Sequence, residues 1–242
     1  MSFPFEAPAP GMNLGQEQVL PDLVVFDLLG VLLDERPRIT TCLGDALATA
    51  DFSLNAEELA ALARLPTRPA LSQLVSRKLR LSPEIARPLV SAIAENFMER
   101  VLASLQRSPT LAIHPGAGIL LAELAADGVH IGIDSELDGT LAAALIRQAG
   151  WAGTGLIEAV VGSDEVLVPR PGPGQVEEVR RRCGLGSDAR VVKVVGTAID
   201  AQAALGAGCS TVYSLQSDLV VGMEPVSDLG DLAERILGRH LV

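Results

Sequence analysis

The chain has 242 residues, of which 48% are hydrophobic and 3% aromatic, and its formal net charge is −11 at pH 7. It is long enough to bury a sizeable core, which aliphatic side chains must fill. The acidic balance argues against nonspecific binding to nucleic acid or to an anionic membrane, because both require a basic surface.

The cysteines and the N-terminal segment indicate the cellular compartment in which the protein is expected. Cys42, Cys183 and Cys209 are far apart and form no CxxC pair, which indicates reduced thiols rather than a disulfide frame or a zinc site. No apolar run reaches the ~18 residues that span a bilayer. Segment 1–20 has no positive n-region and no apolar h-region, so we expect a flexible tail and not a signal peptide. These features predict a cytoplasmic protein with neither a nucleic-acid nor a membrane partner.

Short runs rich in Val and Ile predict buried parallel strands, since strands covered on both faces need no alternation of polar residues. The predicted strands are Leu23–Asp27, Val129–Asp134, Arg190–Gly196, Ser210–Leu215 and, more weakly, Leu156–Gly162. Helix-length segments lie between them and end near glycines that can adopt a left-handed cap. Strands alternating with helices predict an α/β fold with a Rossmann-like, doubly wound parallel sheet.

One stretch, from Arg36 to Leu111, interrupts this alternation with consecutive helical segments and no convincing strand. Ser82 followed by Pro83 is typical of a helix start. An all-helical insert directly after the first strand predicts a cap over the carboxyl edge of the sheet. We therefore predict a tail (1–20), a core (21–35 plus 112–242) and a helical cap (36–111).

Asp27 ends the first predicted strand. Ligands of doubly wound sheets bind beyond the carboxyl ends of the strands, so a carboxylate there is a candidate nucleophile or metal ligand. A carboxylate that caps a helix or turn would have the same position. Position alone leaves both interpretations open.

The segment FDLLGVLLD resembles the first motif of the haloacid dehalogenase superfamily, Asp-x-Asp-Gly-Thr-Leu-x-Asp. The positions in register are Asp27, Gly30, Leu32 and Asp34. Leu29 and Val31 depart from the motif, and Leu29 stands where the family has its second aspartate.

Three later segments resemble the remaining motifs in the expected order. IGIDS places Ser135 at the second-motif serine or threonine. DEVLVPRPGPGQ is similar to the third motif of the phosphonatase-like branch, with Arg170 at the charge-stabilising position. VKVVGTAIDAQAALGAGC resembles the fourth motif through Thr197 and Asp200, but Gly196 replaces the first metal-binding aspartate.

The resemblance implies a site for a phosphoryl group. In the family the first aspartate attacks phosphorus, and the second protonates the leaving group and then activates water. The implied catalytic residues are Asp27, Ser135 and Arg170, the implied anion-binding residues are Ser135, Glu136, Arg170 and Thr197, and the implied ligands of a weak Mg²⁺ site are Asp27 and Asp200. The degenerate positions are Leu29, Val31 and Gly196. Because Leu29 has no proton to exchange, catalysis should fall by roughly 10²–10⁴-fold.

Some motif residues are present in this chain and others are replaced, and three hypotheses follow. The favoured one is a catalytically impaired protein with a partly dismantled phosphotransfer site that binds an anionic or phosphorylated ligand, or a protein partner, and requires no metal. The first alternative is an active hydrolase with Asp27 as nucleophile, either a phosphatase or a metal-free dehalogenase-like enzyme. The second is a structural or assembly protein, for example a homodimer.

Two details of the predicted cap bear on which reactions the protein could catalyse. Leu71 occupies the position of the Schiff-base lysine in phosphonatases, which argues against phosphonoacetaldehyde hydrolysis. A metal-free dehalogenase would need a cap arginine to bind the halide. The sequence offers several arginines and does not choose among them: Arg36, Arg38, Arg64 and Arg68.

Overall fold

The computed structural model describes residues 19–215 and 221–241. Its centre is a parallel sheet of six strands in the order β3-β2-β1-β4-β5-β6. The strands are β1 (Leu23–Asp27), β2 (His130–Asp134), β3 (Ala159–Val161), β4 (Val191–Val195), β5 (Thr211–Ser214) and β6 (Glu224–Pro225). This order confirms the predicted doubly wound α/β fold. The weak fifth strand is shorter than predicted, and the exposed two-residue β6 was not predicted.

Helices connect the strands and form the insert after β1. In the described residues they are α1 (Arg36–Thr49), α2 (Ala56–Leu62), α3 (Thr67–Leu79), α4 (Pro83–Arg107), α5 (Ala117–Ala126), α6 (Gly139–Gln148), α7 (Gly174–Arg182), α8 (Ala198–Gly206) and α9 (Leu229–Leu237). The Ser82 side chain accepts a hydrogen bond from the Ile85 backbone at 3.5 Å, so α4 begins where the sequence predicted. None of the helices in the described residues has the length and apolarity needed to cross a membrane.

The insert packs on the same hydrophobic core as the sheet. Phe26 of β1, Leu47 of α1 and Phe97 of α4 belong to one buried cluster, while Val25 of β1 packs with Val179 of α7 on the other face. The sheet is therefore covered on both faces, which is why its strands show no polar alternation. The division into tail, core and cap stays a prediction, and residues 1–18 of the predicted tail lie outside the described residues.

Contacts between α3 and the loop after β2 hold the insert over the carboxyl edge of the sheet. The backbone N–H of Thr67 donates to the carbonyl of Glu136 at 3.1 Å. Arg68 Nε donates to Asp138 Oδ2 at 3.0 Å. The loop that follows β2 is consequently buried beneath the insert.

Close packing at Gly162, just after β3, gives a first test of the fold. A Cβ added there would lie 2.0 Å from the Gly139 nitrogen, and this neighbour is backbone and cannot rotate away. We expect Gly162→Ala to lower the free energy of unfolding by about 1–3 kcal/mol or more, measured by urea denaturation. The control is Gly118→Ala in α5, whose Cβ would meet nothing nearer than Trp151 Nε1 at 3.8 Å. Equal stability of the two variants would contradict this packing.

Candidate active site at the carboxyl edge of the sheet

The site begins with two aspartates on adjacent strands. Asp27 ends β1, Asp134 ends β2, and the parallel register pairs these two residues directly. Both side chains are fully buried. Burial of two neighbouring carboxylates is unfavourable unless cations and hydrogen bonds compensate for the lost hydration.

Arg170 supplies much of that compensation. Its Nη1 donates to Asp27 Oδ1 at 3.0 Å and to Asp200 Oδ1 at 2.5 Å, and its Nη2 donates to Asp134 Oδ1 at 2.5 Å. Glu136 Oε2 lies 3.8 Å from Nη1. Arg170 is only 4% exposed, so these ion pairs are screened little by water. Its Nε atom has no hydrogen-bond partner among the described residues.

Lys193 is a second buried cation that the sequence analysis missed. It lies in the middle of β4, is 0% exposed, and its Nζ donates to Asp134 Oδ1 at 2.5 Å. A signal was available in the sequence, because a lysine within the run VVKVV of a buried strand needs a carboxylate partner. That partner is Asp134, at the end of β2, which lies on the far side of β1 from β4.

Arg36 is the arginine of the helical insert that the structure brings to Asp27. It is the first residue of α1, its Nη1 donates to Glu136 Oε1 at 3.0 Å, and its Nη2 donates to the Leu29 carbonyl at 2.6 Å. Nη2 lies 3.8 Å from Asp27 Oδ2. Among the four candidates, Arg38 pairs instead with Glu35 at 2.6 Å. Arg68 pairs with a different core carboxylate, as described above.

The residues after β2 form the floor of the site. Ser135 is fully buried, and its Oγ accepts a hydrogen bond from the Leu137 backbone at 3.2 Å. The carbonyl of Ser135 also accepts from Gln175 Nε2 at 2.7 Å. Glu136 contacts both Arg36 and Arg170 and so belongs to the charged cluster. The predicted anion-binding roles of Ser135 and Glu136 remain predictions.

The loop after β4 brings the fourth-motif residues to the same edge. Thr197 caps α8: its Oγ1 accepts from the Asp200 nitrogen at 3.3 Å and donates to Asp200 Oδ2 at 2.7 Å. Asp200 thereby presents its other oxygen to Arg170. Gly196, immediately before this cap, is buried and adds no side chain to the site.

The positions that depart from the first motif point into the core. Leu29 and Val31 are each 0% exposed, so both contribute to packing. Asp34, which matches the motif, is exposed and lies outside the charged cluster. No group at Leu29 can exchange a proton with a ligand.

Burial and charge shift the acids of the cluster in different directions. Burial raises the pKa of Asp27 well above its ordinary value, and the nearby Arg170 offsets this only in part. Burial also raises the pKa of Glu136. At Asp200 burial acts in the same sense, but Arg170 and Lys193 outweigh it, so the pKa of Asp200 is lowered. Asp27 therefore holds a proton more readily than Asp200.

A Mg²⁺ ion does not fit the residues as they are arranged. Mg²⁺ requires hard oxygen ligands in near-octahedral geometry. Both oxygens of Asp200, one of the two implied ligands, are bonded within the protein, and the Leu29 carbonyl oxygen beside the other, Asp27, is bonded to Arg36. Within the parts of the chain that the structure describes, no three His, Cys, Asp or Glu side chains are grouped to hold a metal.

Comparison with known proteins finds relatives by sequence and neighbours by fold. The chain is 29% identical over 217 residues to a phosphoglycolate phosphatase of Rhodospirillum rubrum, covering 88% of this chain and 86% of that protein. A phosphoglycolate phosphatase of Xylella fastidiosa is 27% identical over 208 residues, covering 84% of each chain.

Solved structures show the same fold. A CbbY variant from Rhodobacter sphaeroides, in complex with xylulose-(1,5)bisphosphate, has a TM-score of 0.72 at 17% identity and covers 86% of this chain and 95% of its own. A hydrolase from Pseudomonas syringae has a TM-score of 0.70 at 20% identity, and the match covers 85% of this chain and 92% of the hydrolase. A profile of the haloacid dehalogenase-like hydrolases matches residues 24–213. The chain therefore belongs to the haloacid dehalogenase-like hydrolase family.

Proposed function

We propose that the chain is a hydrolase of small phosphate esters in which Asp27 is the nucleophile. The observation that carries the proposal is a buried carboxylate at the carboxyl end of β1 that lies beside two arginines from different parts of the fold. The relatives named phosphoglycolate phosphatase support a small phosphorylated substrate. This is the active alternative of the sequence analysis.

The chemistry would proceed in two displacements. Asp27 Oδ2, which accepts no hydrogen bond from the described residues, attacks phosphorus, and the bond from phosphorus to the leaving-group oxygen breaks. Water then attacks the aspartyl-phosphate, which releases phosphate and restores the carboxylate. The guanidinium groups of Arg36 and Arg170 stabilise negative charge on the phosphoryl oxygens.

The leucine at position 29 sets the preferred leaving group. Without an acid to protonate it, the leaving oxygen must depart with its negative charge, which favours aryl and acyl phosphates over alkyl phosphates. Water must likewise attack the aspartyl-phosphate without a general base from position 29. The missing acid–base help should slow each step by roughly 10²–10⁴-fold.

The test is phosphate release from p-nitrophenyl phosphate, acetyl phosphate and phosphoglycolate. We expect slow turnover by the wild type that is faster with the first two substrates, and none above the blank for Asp27→Asn. The matched control is Asp34→Asn, in the same loop but exposed, which should turn over like the wild type. Equal rates for wild type and Asp27→Asn on all three substrates would refute the proposal.

A second candidate is the noncatalytic, anion-binding role that the sequence analysis favoured. The specific observation for it is the pair of losses at Leu29 and Gly196, which remove an acid–base group and a carboxylate from the same site. Under this role, phosphate would raise the melting temperature of the wild type although no substrate is turned over. A ligand at ~100 times its Kd adds about 2.7 kcal/mol of stability, which such a scan detects easily.

We also propose the narrower features that the sequence predicts. The phosphonatase-like branch rests on the third-motif match at Val166, Arg170, Pro171 and Pro173. A protein partner, a homodimer and a cytoplasmic location rest on the sequence arguments given above. The turnover test does not depend on any of them.

A further inference from the structure

The guanidinium of Arg36 lies in a cradle that two glycines leave open. A Cβ added at Gly30 would lie 3.0 Å from Arg36 Nε, and one added at Gly196 would lie 3.3 Å from Arg36 Nη2. Gly30 also has a φ of +86°, which glycine adopts without strain. Gly196 has no such backbone requirement, so what its missing side chain provides is space.

The same small volume borders the oxygens that a divalent cation would use. Arg36 Nη2 is 2.6 Å from the Leu29 carbonyl oxygen and 3.8 Å from Asp27 Oδ2. A Cβ at Gly196 would lie 3.0 Å from the Leu29 carbonyl oxygen and 2.9 Å from Asp27 Oδ2. Carboxylate and carbonyl oxygens are the ligands that Mg²⁺ prefers. In this protein the cation beside these two oxygens is the guanidinium of Arg36.

We propose that Arg36 is a built-in cation that takes the place of the divalent metal at this site, so that the chain binds phosphate without Mg²⁺. The inference rests on the proposed function and deepens it. Arg36 Nε is buried and has no hydrogen-bond partner among the described residues, so the protein leaves this donor unsatisfied. A planar guanidinium matches phosphate oxygens well.

Arg36 and Gly196 are therefore coupled. Any side chain at position 196 would contact Arg36 Nη2 and both oxygens of the cradle. A carboxylate there would create a metal site only if the guanidinium were removed at the same time. The coupling explains how two features that look unrelated in the sequence, a glycine in the fourth motif and an arginine at the start of the cap, belong together.

Metal binding is tested first, because it can be measured without any turnover. Purified protein is titrated with Mn²⁺, and the signal of the free ion is followed by electron paramagnetic resonance. We expect no binding by the wild type up to millimolar Mn²⁺, and binding by Arg36→Ala/Gly196→Asp. Tight binding of Mn²⁺ by the wild type would overturn the inference. The titration of the wild type remains a valid test even if the double variant does not fold.

Phosphate binding in EDTA is the second arm. Inorganic phosphate should raise the melting temperature of the wild type equally in EDTA and in Mg²⁺. Arg36→Gln, which keeps a hydrogen-bond donor but loses the charge, should bind phosphate about tenfold or more weakly in EDTA. The control is Arg68→Ala, which removes another cap arginine that pairs with a core carboxylate, and its phosphate affinity should equal that of the wild type.

The outcomes separate this inference from the proposed function. A phosphate effect that requires Mg²⁺, or one that survives unchanged in Arg36→Gln, would overturn the role of Arg36 while leaving hydrolysis by Asp27 open. No stabilisation by phosphate in either buffer would also overturn it. Stabilisation in EDTA that is lost in Arg36→Gln would support it, even if the turnover test finds no hydrolysis.

Discussion

Arg170→Ala is expected to lower the free energy of unfolding by about 3–5 kcal/mol or more, because it leaves several carboxylates buried without their shared cation. Arg170 contacts Asp27, Asp134 and Asp200 within 3.0 Å. Total stabilities of single domains are about 5–15 kcal/mol, so this loss is a large fraction of the total. Equilibrium denaturation in urea measures the loss.

A surface ion pair provides the matched control. Arg182 pairs with Glu165 at 2.9 Å and Glu178 at 2.8 Å, but its side chain is 30% exposed. Arg182→Ala should therefore cost no more than about 1 kcal/mol. Arg170→Lys keeps one charge but not the fork of donors, and its stability should lie between that of the wild type and that of Arg170→Ala. A loss below about 1 kcal/mol for Arg170→Ala would show that the cluster is not assembled around this residue.

Lys193→Met is the second large expected effect. The methionine approximates the size of the lysine side chain but leaves Asp134 with Arg170 as its remaining cation. We expect a loss of about 3–5 kcal/mol in the free energy of unfolding, the usual cost of removing one partner of a buried ion pair. Urea denaturation at neutral pH gives the value.

A double-mutant cycle identifies the cause of that loss. Lys193→Met/Asp134→Asn removes both charges of the pair, so the double variant should be more stable than the sum of the two single losses predicts, by about 1 kcal/mol or more. Strict additivity would mean that Lys193 stabilises the strand by packing alone. The control is Lys78→Met, an exposed lysine of α3, which should change stability by no more than about 0.5 kcal/mol.

The sheet could be predicted from the sequence because its signal is local. Buried parallel strands are continuous apolar runs, and the four clear predictions correspond to β1, β2, β4 and β5. The two-residue β6 has no apolar run and is exposed, so no pattern marks it. Its pairing with β5 depends on the tertiary fold.

The site was predictable only where a motif specified a position. Asp27, Arg170 and Asp200 were found because the family pattern names them, and the structure brings these three together. Arg36 could not be chosen among the cap arginines, because its contact with Glu136 spans 100 positions of the chain. That contact depends on the exact residue at which α1 begins. Lys193 was visible in the sequence and was overlooked.

The position of Arg36 at the first residue of α1 affects how this insert can be exchanged. The first helix of the insert, α1, begins at the residue that supplies a cation to Asp27. A chimera joined before residue 36 would import whatever residue the donor insert has there, and one joined after it would keep the native guanidinium. In this protein, the point at which the insert is exchanged therefore also decides the charge beside Asp27.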